Sequence, residues 1–307
     1  MRIAVMGAGG VGGYFGAKLA HAGHDVAFIA RGGHLAAMRE RGLTVKGAAG
    51  DVHLGRPAVT DDPSTLAPAD VVLFAVKLWD TEGAAETVRP LVAKGGVIIP
   101  LQNGVESIER IGAIVGGERV MGGVAYIAAT IGEPGVIVHT GTMARLRFGP
   151  VHAAQQPAAE ALLADCKAAG IEAELSADIR RALWEKFAFL AAFSGLTSVA
   201  RQPMGILRGD ADLRAALEAA IREAWAVGRA RGIALADDFV LQQMKFADGL
   251  PAEMKSSMSN DLAAGNRLEA PWLCGAVARM GNAAGVATPV NATLYAALKP
   301  YCGGAPR

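Results

Sequence analysis

A strand, a glycine-rich turn and a helix open the chain, and this order constrains the fold more than any other feature. Residues 2–6 are a short, mostly apolar run, and residues 7–12 read Gly-Ala-Gly-Gly-Val-Gly before a helical stretch. In such a unit, Gly7 permits the turn off the strand, Gly9 lets the backbone approach a pyrophosphate, and Gly12 lets the helix pack closely. A simple glycine-rich turn would not require this placement, so we predict a dinucleotide site at the helix N-terminus. Its residues are Gly7, Gly9, Gly10, Val11 and Gly12.

The end of the second predicted strand selects between the two nicotinamide dinucleotides. An NAD-binding unit usually ends this strand with Asp or Glu, which binds the ribose hydroxyls. Here the strand at 26–30 is followed by Arg31, and no carboxylate stands at that position. A guanidinium can bind a 2′-phosphate through two parallel hydrogen bonds. An ordinary surface arginine is the alternative, and the pattern favours NADP(H).

Length, composition and charge exclude several classes of protein. With 307 residues, 52% of them hydrophobic and 19% charged, the chain can form two globular domains. The net charge is +1 without runs of like charge, so nothing indicates nucleic acid. Apolar runs such as 71–76 and 187–193 are too short to span a bilayer. Glycines interrupt the apolar N-terminus, which argues against a signal peptide, and we expect a cytoplasmic protein.

The spacing of cysteines and histidines predicts no metal site. Cys166, Cys274 and Cys302 are widely separated and form no CxxC pair. This is typical of a reducing compartment and of cysteines that pack in the core instead of forming disulfides. His21 and His24 lie three residues apart, and surface or capping roles fit them better than metal ligation.

Strand and helix patterns alternate in the first half of the chain. Residues 71–76 are apolar throughout, as in a central parallel strand that is covered on both faces. Residues 120–130 and 135–139 flank a Gly-Glu-Pro-Gly turn and predict a hairpin, with a closing strand at 145–149. We therefore predict a Rossmann-type, doubly wound α/β sheet with an antiparallel extension, within a domain over residues 1–176.

After residue 176 helical periodicity replaces the strand pattern. Helices are predicted over 178–193, 212–231 and 271–284, with a last helix from Thr288 and Pro289, a favoured N-cap and first-turn pair. We assign residues 177–307 to an all-helical substrate domain. The crevice between the domains is the expected substrate site.

Two candidate residues follow predicted strands of the sheet. Lys77 comes directly after the run 71–76, at the carboxyl edge where open α/β sheets bind ligands. A solvated loop lysine is the equally reasonable alternative. Asn103 lies in Gln-Asn-Gly just past the next strand, and Asn-Gly is also a common turn pair.

Lys186 is a stronger candidate for catalysis. It lies in a helix that becomes apolar on every side, in line with Ala182, Leu190 and Phe193. Desolvation there would lower the pKa of the ammonium and suit proton donation near neutral pH. In the alternative, the aliphatic stem packs and the ammonium reaches solvent.

Taken together, these residues resemble the ketopantoate reductase (2-dehydropantoate 2-reductase) family, and the likeness covers nearly the whole chain. The residues that carry it are the glycine turn with Arg31, Val-Lys77, Gln-Asn-Gly at 102–104, Trp-Glu-Lys186, Ser-Ser-Met at 256–258 with Asp261, and Glu269. The resemblance implies an NADPH-binding Rossmann domain joined to a helical domain like that of 6-phosphogluconate dehydrogenase. It implies reduction of 2-dehydropantoate to (R)-pantoate, a step of pantothenate biosynthesis.

The resemblance also implies a role for each site residue. Lys186 would be the general acid that protonates the alkoxide, and Glu269 would hold the terminal hydroxyl of the substrate. Ser257 would bind the substrate carboxylate. Asn103 and Lys77 would lie between nicotinamide and substrate. On residue pattern alone, the small hydroxyl residues of 256–261 indicate a helix cap, and Glu269 indicates a solvated glutamate.

Two positions depart from the family pattern. Leu190 and Ser194 stand four and eight residues after Lys186, where family members commonly carry asparagines that help to bind substrate. Ser194 remains a candidate substrate contact, whereas a leucine cannot replace a lost hydrogen bond. The alternatives are therefore a reductase of a different 2-oxo acid or ketone, and a non-catalytic NADP(H) sensor. A homodimer is expected only by analogy with related dehydrogenases.

Overall fold

The computed structural model describes residues 1–48 and 50–305, which form two compact units. The first unit comprises residues 1–102 and 106–182, and the second, the helical unit, comprises residues 103–105 and the chain from Leu183 onwards. Within the described residues, no helix combines the length and apolar character that crossing a bilayer requires.

The first sheet of the first unit is parallel and carries the opening motif. Its strands are β1 (Arg2–Met6), β2 (Asp25–Ile29), β5 (Ala58–Thr60), β6 (Val71–Phe74) and β7 (Val97–Pro100). They lie in the order β5-β2-β1-β6-β7, so that Val5 is aligned with Phe28 on one side and Leu73 on the other. This order confirms the predicted doubly wound sheet. The glycine turn lies beyond the carboxyl end of β1, where the strand order reverses and such sheets bind ligands.

Five α-helices belong to the described residues of this unit. They are α1 (Gly10–His21), α2 (Gly32–Arg41), α3 (Thr81–Val92), α4 (Ser107–Val115) and α5 (Gln156–Ala168). The side chains of Phe15 in α1 and Phe28 in β2 are completely buried in one apolar core. Burial of such aromatic side chains stabilises the unit by about 2 kcal/mol each.

The predicted hairpin forms a second sheet of its own instead of extending the first. Its strands are β3 (Leu43–Lys46), β4 (Val52–Leu54), β8 (Gly122–Glu133), β9 (Val136–Gly149) and β10 (Glu172–Leu175). The hairpin of β8 and β9 confirms the predicted turn, but β9 continues through the expected closing strand as one element. Between the described residues of the two sheets, one isolated bridge pairs Val120, just before β8, with Ile98 of β7. Ladder bonds from β9 go to β8, β3 and β10 instead.

Up to residue 305, where the described chain ends, the elements after β10 are all helices, as the sequence predicts. The α-helices among them are α6 (Ile179–Ala200), α7 (Met204–Gly209), α8 (Ala211–Ala230), α9 (Phe239–Gly249), α10 (Ser257–Ala263), α11 (Cys274–Ala284) and α12 (Pro289–Leu298). The apolar face of α6 supplies Trp184, Phe187 and Phe193 to the core of the helical unit.

The start of α12 differs from the expectation in one detail. Thr288 occupies the N-cap position and Pro289 the first turn, but the threonine side chain makes no capping hydrogen bond. The Glu223 carboxylate of α8 accepts from the backbone N–H groups of Val290 and Asn291 instead, at 2.8 and 2.9 Å. A carboxylate satisfies these N–H groups and also complements the helix dipole, which explains why the threonine is not needed.

Candidate active site

Three polar side chains from distant parts of the sequence meet in the helical unit. Lys186 projects from α6, Asn103 follows β7, and Glu269 precedes the short 3-10 turn of Ala270–Trp272. The Lys186 Nζ donates to the Asn103 Oδ1 at 3.1 Å, and the Asn103 Nδ2 lies 3.5 Å from the Glu269 Oε2. Since an ammonium only donates and a carboxylate only accepts, this amide orientation satisfies both neighbours. The three residues form a cation–amide–carboxylate chain, called the Lys–Asn–Glu trio below.

The backbone after Asn103 has a conformation that requires glycine at position 104. Gly104 has φ +89°, a left-handed conformation that side chains rarely adopt, and a Cβ there would lie 3.3 Å from the Trp272 carbonyl oxygen. Val105 then packs against the core of the helical unit. The Asn-Gly pair is thus a turn, as one interpretation of the sequence had it, and this turn positions the amide between Lys186 and Glu269.

Burial gives Lys186 an unusual acidity. Desolvation lowers the pKa of its ammonium to about 8, although the nearby negative charge of Glu269 acts to raise it. Glu269 is itself buried, with 9% of its surface exposed. The direction agrees with the expectation from the apolar helix around Lys186. A lysine with this pKa is protonated at neutral pH and can still release its proton readily.

At steps of four residues after Lys186, helix α6 carries Leu190, Ser194 and Ser198. Leu190 is partly buried and packs against the helical core. Ser194 and Ser198 are each 1% exposed, and their Oγ atoms have no hydrogen-bond partner among the described residues. A buried hydroxyl without a partner costs about 1–3 kcal/mol.

Among the described residues, the Ser257 side chain has no hydrogen bond to the Lys–Asn–Glu trio. It is exposed at the first position of α10, while its neighbour Ser256 caps that helix by accepting from the Ser259 N–H at 3.0 Å. The Ser256 and Thr197 hydroxyls lie 2.8 Å apart and join α10 to α6. The cap that the sequence suggested for this segment is therefore Ser256, whereas the Ser257 side chain remains exposed.

The glycine turn of the first unit has the shape that the sequence predicts. Gly7 has φ +95°, and a Cβ on it would lie 2.9 Å from the backbone of Ala75. Side chains at Gly10 and Gly12 would collide with the carbonyl oxygens of Ala129 and Gly7. Open space lies beside Gly9, since nothing comes within 4 Å of an added Cβ. The fold itself thus requires three of the glycines, and Gly9 leaves room for a bound group.

Charged side chains follow β2 and β6, the two strands that adjoin β1. Arg31 is the N-cap residue of α2, and its Nη2 donates to the Asp80 carboxylate at 2.5 Å. Lys77 is exposed, with its Nζ 5.7 Å from the centre of the Trp79 ring. Sequence reasoning missed Asp80, because its relation to Arg31 depends on the strand order.

His34 was also missed, although it follows Arg31 by only three residues. Its Nε2 lies 2.9 Å from the Ala8 carbonyl oxygen of the glycine turn, and its Nδ1 accepts from the Gly135 N–H at 3.1 Å. This pattern fixes a neutral ring with the proton on Nε2. Burial lowers the pKa of His34, which also favours the neutral form. The ring therefore ties α2 to the glycine turn and to the hairpin of β8 and β9.

Comparison with known proteins places these features in one family. Residues 3–153 match the family Ketopantoate reductase PanE/ApbA, and residues 178–301 match Ketopantoate reductase PanE/ApbA C terminal. The chain is 31% identical over 295 residues to the 2-dehydropantoate 2-reductase of Halobacterium salinarum, with 96% of each chain covered. It is 30% identical to the uncharacterized oxidoreductase YkpB of Bacillus subtilis, with 98% and 99% covered.

Solved structures show the same likeness in three dimensions. The PanE/ApbA family ketopantoate reductase of Ralstonia eutropha superposes with a TM-score of 0.89 at 35% identity, with 98% of both chains covered. D-mandelate dehydrogenase, solved with NADH and anilino(oxo)acetate, superposes with a TM-score of 0.90 at 22% identity and 98% coverage of both chains. The second likeness concerns the fold. On the family match over most of its length, the chain belongs to the ketopantoate reductase family of oxidoreductases.

Proposed function

We propose that the protein reduces the ketone of 2-dehydropantoate to (R)-pantoate with NADPH. The observation that carries the proposal is the contact of the Lys186 ammonium with Asn103, which in turn contacts Glu269. Reduction of a ketone needs a hydride, a cation near the developing alkoxide and a proton. The trio supplies the cation and the proton at one atom, Lys186 Nζ.

The first unit fits the proposed dinucleotide. Helix α1 begins within the glycine turn, at Gly10, and no acidic residue lies in the first turn of that helix. The space beside Gly9 would admit a pyrophosphate, and the exposed guanidinium of Arg31 would bind a 2′-phosphate. Val11 and Lys77 complete the proposed set of cofactor contacts. Bound NADPH supplies the hydride for the reduction.

In the proposed mechanism Lys186 acts in two stages. Its ammonium donates a hydrogen bond to the ketone oxygen, and this polarises the carbonyl carbon for hydride addition. The same Nζ then gives its proton to the alkoxide, and solvent restores the proton on the lysine. Asn103 holds the ammonium in place, because its Oδ1 accepts from Nζ. The pKa of about 8 makes this transfer accessible at neutral pH.

The remaining residues would orient the substrate. Glu269 would accept a hydrogen bond from the terminal hydroxyl of 2-dehydropantoate, and Ser257 would bind its carboxylate. The buried Ser194 hydroxyl, which has no partner among the described residues, would form a hydrogen bond with a polar group of the substrate.

A second candidate function keeps the reaction and changes the substrate. Leu190 offers an apolar surface one helical turn from Lys186, where a polar contact is common in the family. An apolar contact favours a 2-oxo acid with a hydrocarbon side chain, because such a group gains from burial and requires no hydrogen bond.

The experiment is a comparison of substrates, followed through the absorbance of the reduced nicotinamide. We expect kcat/KM to be higher for 2-dehydropantoate than for 2-oxoisovalerate, which lacks the terminal hydroxyl that Glu269 would bind. A larger 2-oxo acid that is reduced much faster would establish the second candidate. Dinucleotide binding without turnover on any 2-oxo acid would instead favour a sensor. A homodimer stays a prediction, which light scattering can test.

A further inference from the structure

The ion pair of Arg31 with Asp80 spans the edge of the parallel sheet at the glycine turn. Arg31 follows β2, and Asp80 follows β6 in the 3-10 turn of Leu78–Asp80. Strands β2 and β6 are the two neighbours of β1, so their ends are roughly 10 Å apart with the end of β1 between them. The 2.5 Å contact between Arg31 Nη2 and Asp80 Oδ2 therefore joins the two sides of the proposed dinucleotide site.

The Asp80 carboxylate accepts from Arg31 instead of capping the helix that begins next to it. Asp80 is the N-cap residue of α3, where an aspartate normally accepts from backbone N–H groups of the first turn. Its side chain makes no such capping bond. It is 30% exposed, whereas the Arg31 side chain is 82% exposed, so both groups are accessible to a ligand.

We propose that Asp80 is a specificity-determining residue for the dinucleotide and keeps NADH usable beside NADPH. This inference rests on the proposed cofactor site. A 2′-phosphate carries up to two negative charges and is repelled by a carboxylate beside Arg31. The guanidinium has five N–H donors, so Arg31 can bind that phosphate with its other donors while Nη2 stays on Asp80, and the phosphate then lies close to the carboxylate.

The same carboxylate favours the dinucleotide without the phosphate. A ribose 2′-hydroxyl is a hydrogen-bond donor, and an acidic residue near the end of β2 accepts from it in NAD-binding units. The sequence of β2 supplies no such residue, but the turn after β6 does. Arg31 and Asp80 thus have opposite preferences, and the ratio of kcat/KM for NADPH to that for NADH reflects their balance.

The test is the isosteric substitution Asp80→Asn. It removes the charge and keeps the shape of the side chain. We therefore expect the preference for NADPH over NADH to increase about tenfold, both in the dissociation constants and in kcat/KM. Arg31→Gln should move both ratios towards NADH. The control is Asp237→Asn, which removes a carboxylate from another exposed ion pair, 2.7 Å from Arg229, and should leave the ratio as in the wild type.

The outcomes separate this inference from the proposed function. Dissociation constants are measured by nicotinamide fluorescence without any 2-oxo acid, and thermal unfolding checks that each variant is folded. A ratio that moves towards NADH in Asp80→Asn would show that Asp80 holds Arg31 ready for the phosphate, and an unchanged ratio would show no role; either result overturns the inference. Dinucleotide binding without reduction of a 2-oxo acid would refute only the proposed substrate. If the wild type binds neither dinucleotide, the cofactor site and the inference both fail.

Discussion

The glycine turn of the first unit and the Lys–Asn–Glu trio of the helical unit depend on their side chains in opposite ways. The turn depends on missing side chains, since a Cβ at Gly10 or Gly12 would strike a backbone carbonyl. The trio depends on side chains whose hydrogen bonds and charges match, with contacts of 3.1 and 3.5 Å. Damage to the turn should therefore change folding and binding, whereas damage to the trio should change turnover in a folded protein. Variants of each region can break or sharpen this distinction.

The largest expected effect is at Lys186. Lys186→Met keeps the aliphatic stem and removes the proton donor, and we expect kcat to fall by a factor of about 10²–10⁴. The dissociation constant of NADPH should stay within about twofold of the wild type, because the variant changes only the trio. Lys245→Met, at an exposed lysine of α9, is the matched control and should retain wild-type turnover. Turnover retained in Lys186→Met would remove this residue from its proposed role.

A smaller loss is expected at Glu269. Glu269→Gln keeps the shape and the hydrogen-bonding oxygen but removes the negative charge that favours the Lys186 ammonium. We expect kcat/KM for 2-dehydropantoate to fall about tenfold to a hundredfold, with less effect on 2-oxoisovalerate, which has no terminal hydroxyl. Steady-state kinetics on the two substrates measure the difference. Equal losses on both would argue that Glu269 acts only through Lys186.

The glycine turn offers a matched pair of substitutions. Gly10→Ala should lower the free energy of unfolding by about 2 kcal/mol, because the new Cβ meets the Ala129 carbonyl oxygen. Gly9→Ala has open space and φ −74°, so the free energy of unfolding should change by less than about 1 kcal/mol. Chemical denaturation measures both.

Dinucleotide binding then separates the two glycines further. Gly9→Ala should weaken NADPH binding about tenfold or more while the protein remains as stable as the wild type, since the added methyl group occupies the space proposed for the pyrophosphate. A Gly9→Ala variant that binds NADPH as tightly as the wild type would place the pyrophosphate elsewhere.

The smallest effects are expected at the buried hydroxyls of α6. Ser194→Ala and Ser198→Ala each remove an unpartnered Oγ, so the free energy of unfolding should rise slightly or stay unchanged, by at most about 1 kcal/mol. Only Ser194→Ala should raise KM for the 2-oxo acid, because only Ser194 is assigned to the substrate. A rise of KM in both variants, or in neither, would contradict that assignment.

The glycine turn could be predicted from the sequence more completely than the Lys–Asn–Glu trio. The glycine turn is local: a strand, six residues and a helix contain its whole geometry, and the φ of Gly7 and the clashes at Gly10 and Gly12 agree with it. The apolar surroundings of Lys186 likewise predicted the direction of its pKa shift. Asn103 and Glu269 are separated by 166 residues, and only the family resemblance had joined them to Lys186.

What the sequence could not supply depends on strand order and long-range pairing. Arg31 and Asp80 meet because β2 and β6 both adjoin β1, which no local pattern specifies. The hairpin was recognisable from its turn, but its membership of a second sheet is decided by the pairing of β9 with β3 and β10. The Glu223 cap on α12 replaces the threonine for the same reason, since its carboxylate comes from α8.

The pH dependence of kcat/KM for 2-dehydropantoate tests the central claim most directly, because it reports the ionisation of the unliganded enzyme. Lys186 must be protonated to act as the acid, so activity should be retained at neutral pH and lost as the pH rises through about 8. In Glu269→Gln the loss should begin at lower pH, since the charge of Glu269 raises the pKa of Lys186. A profile that stays level to about pH 10, where an ordinary lysine titrates, or an unchanged midpoint in Glu269→Gln, would contradict the account.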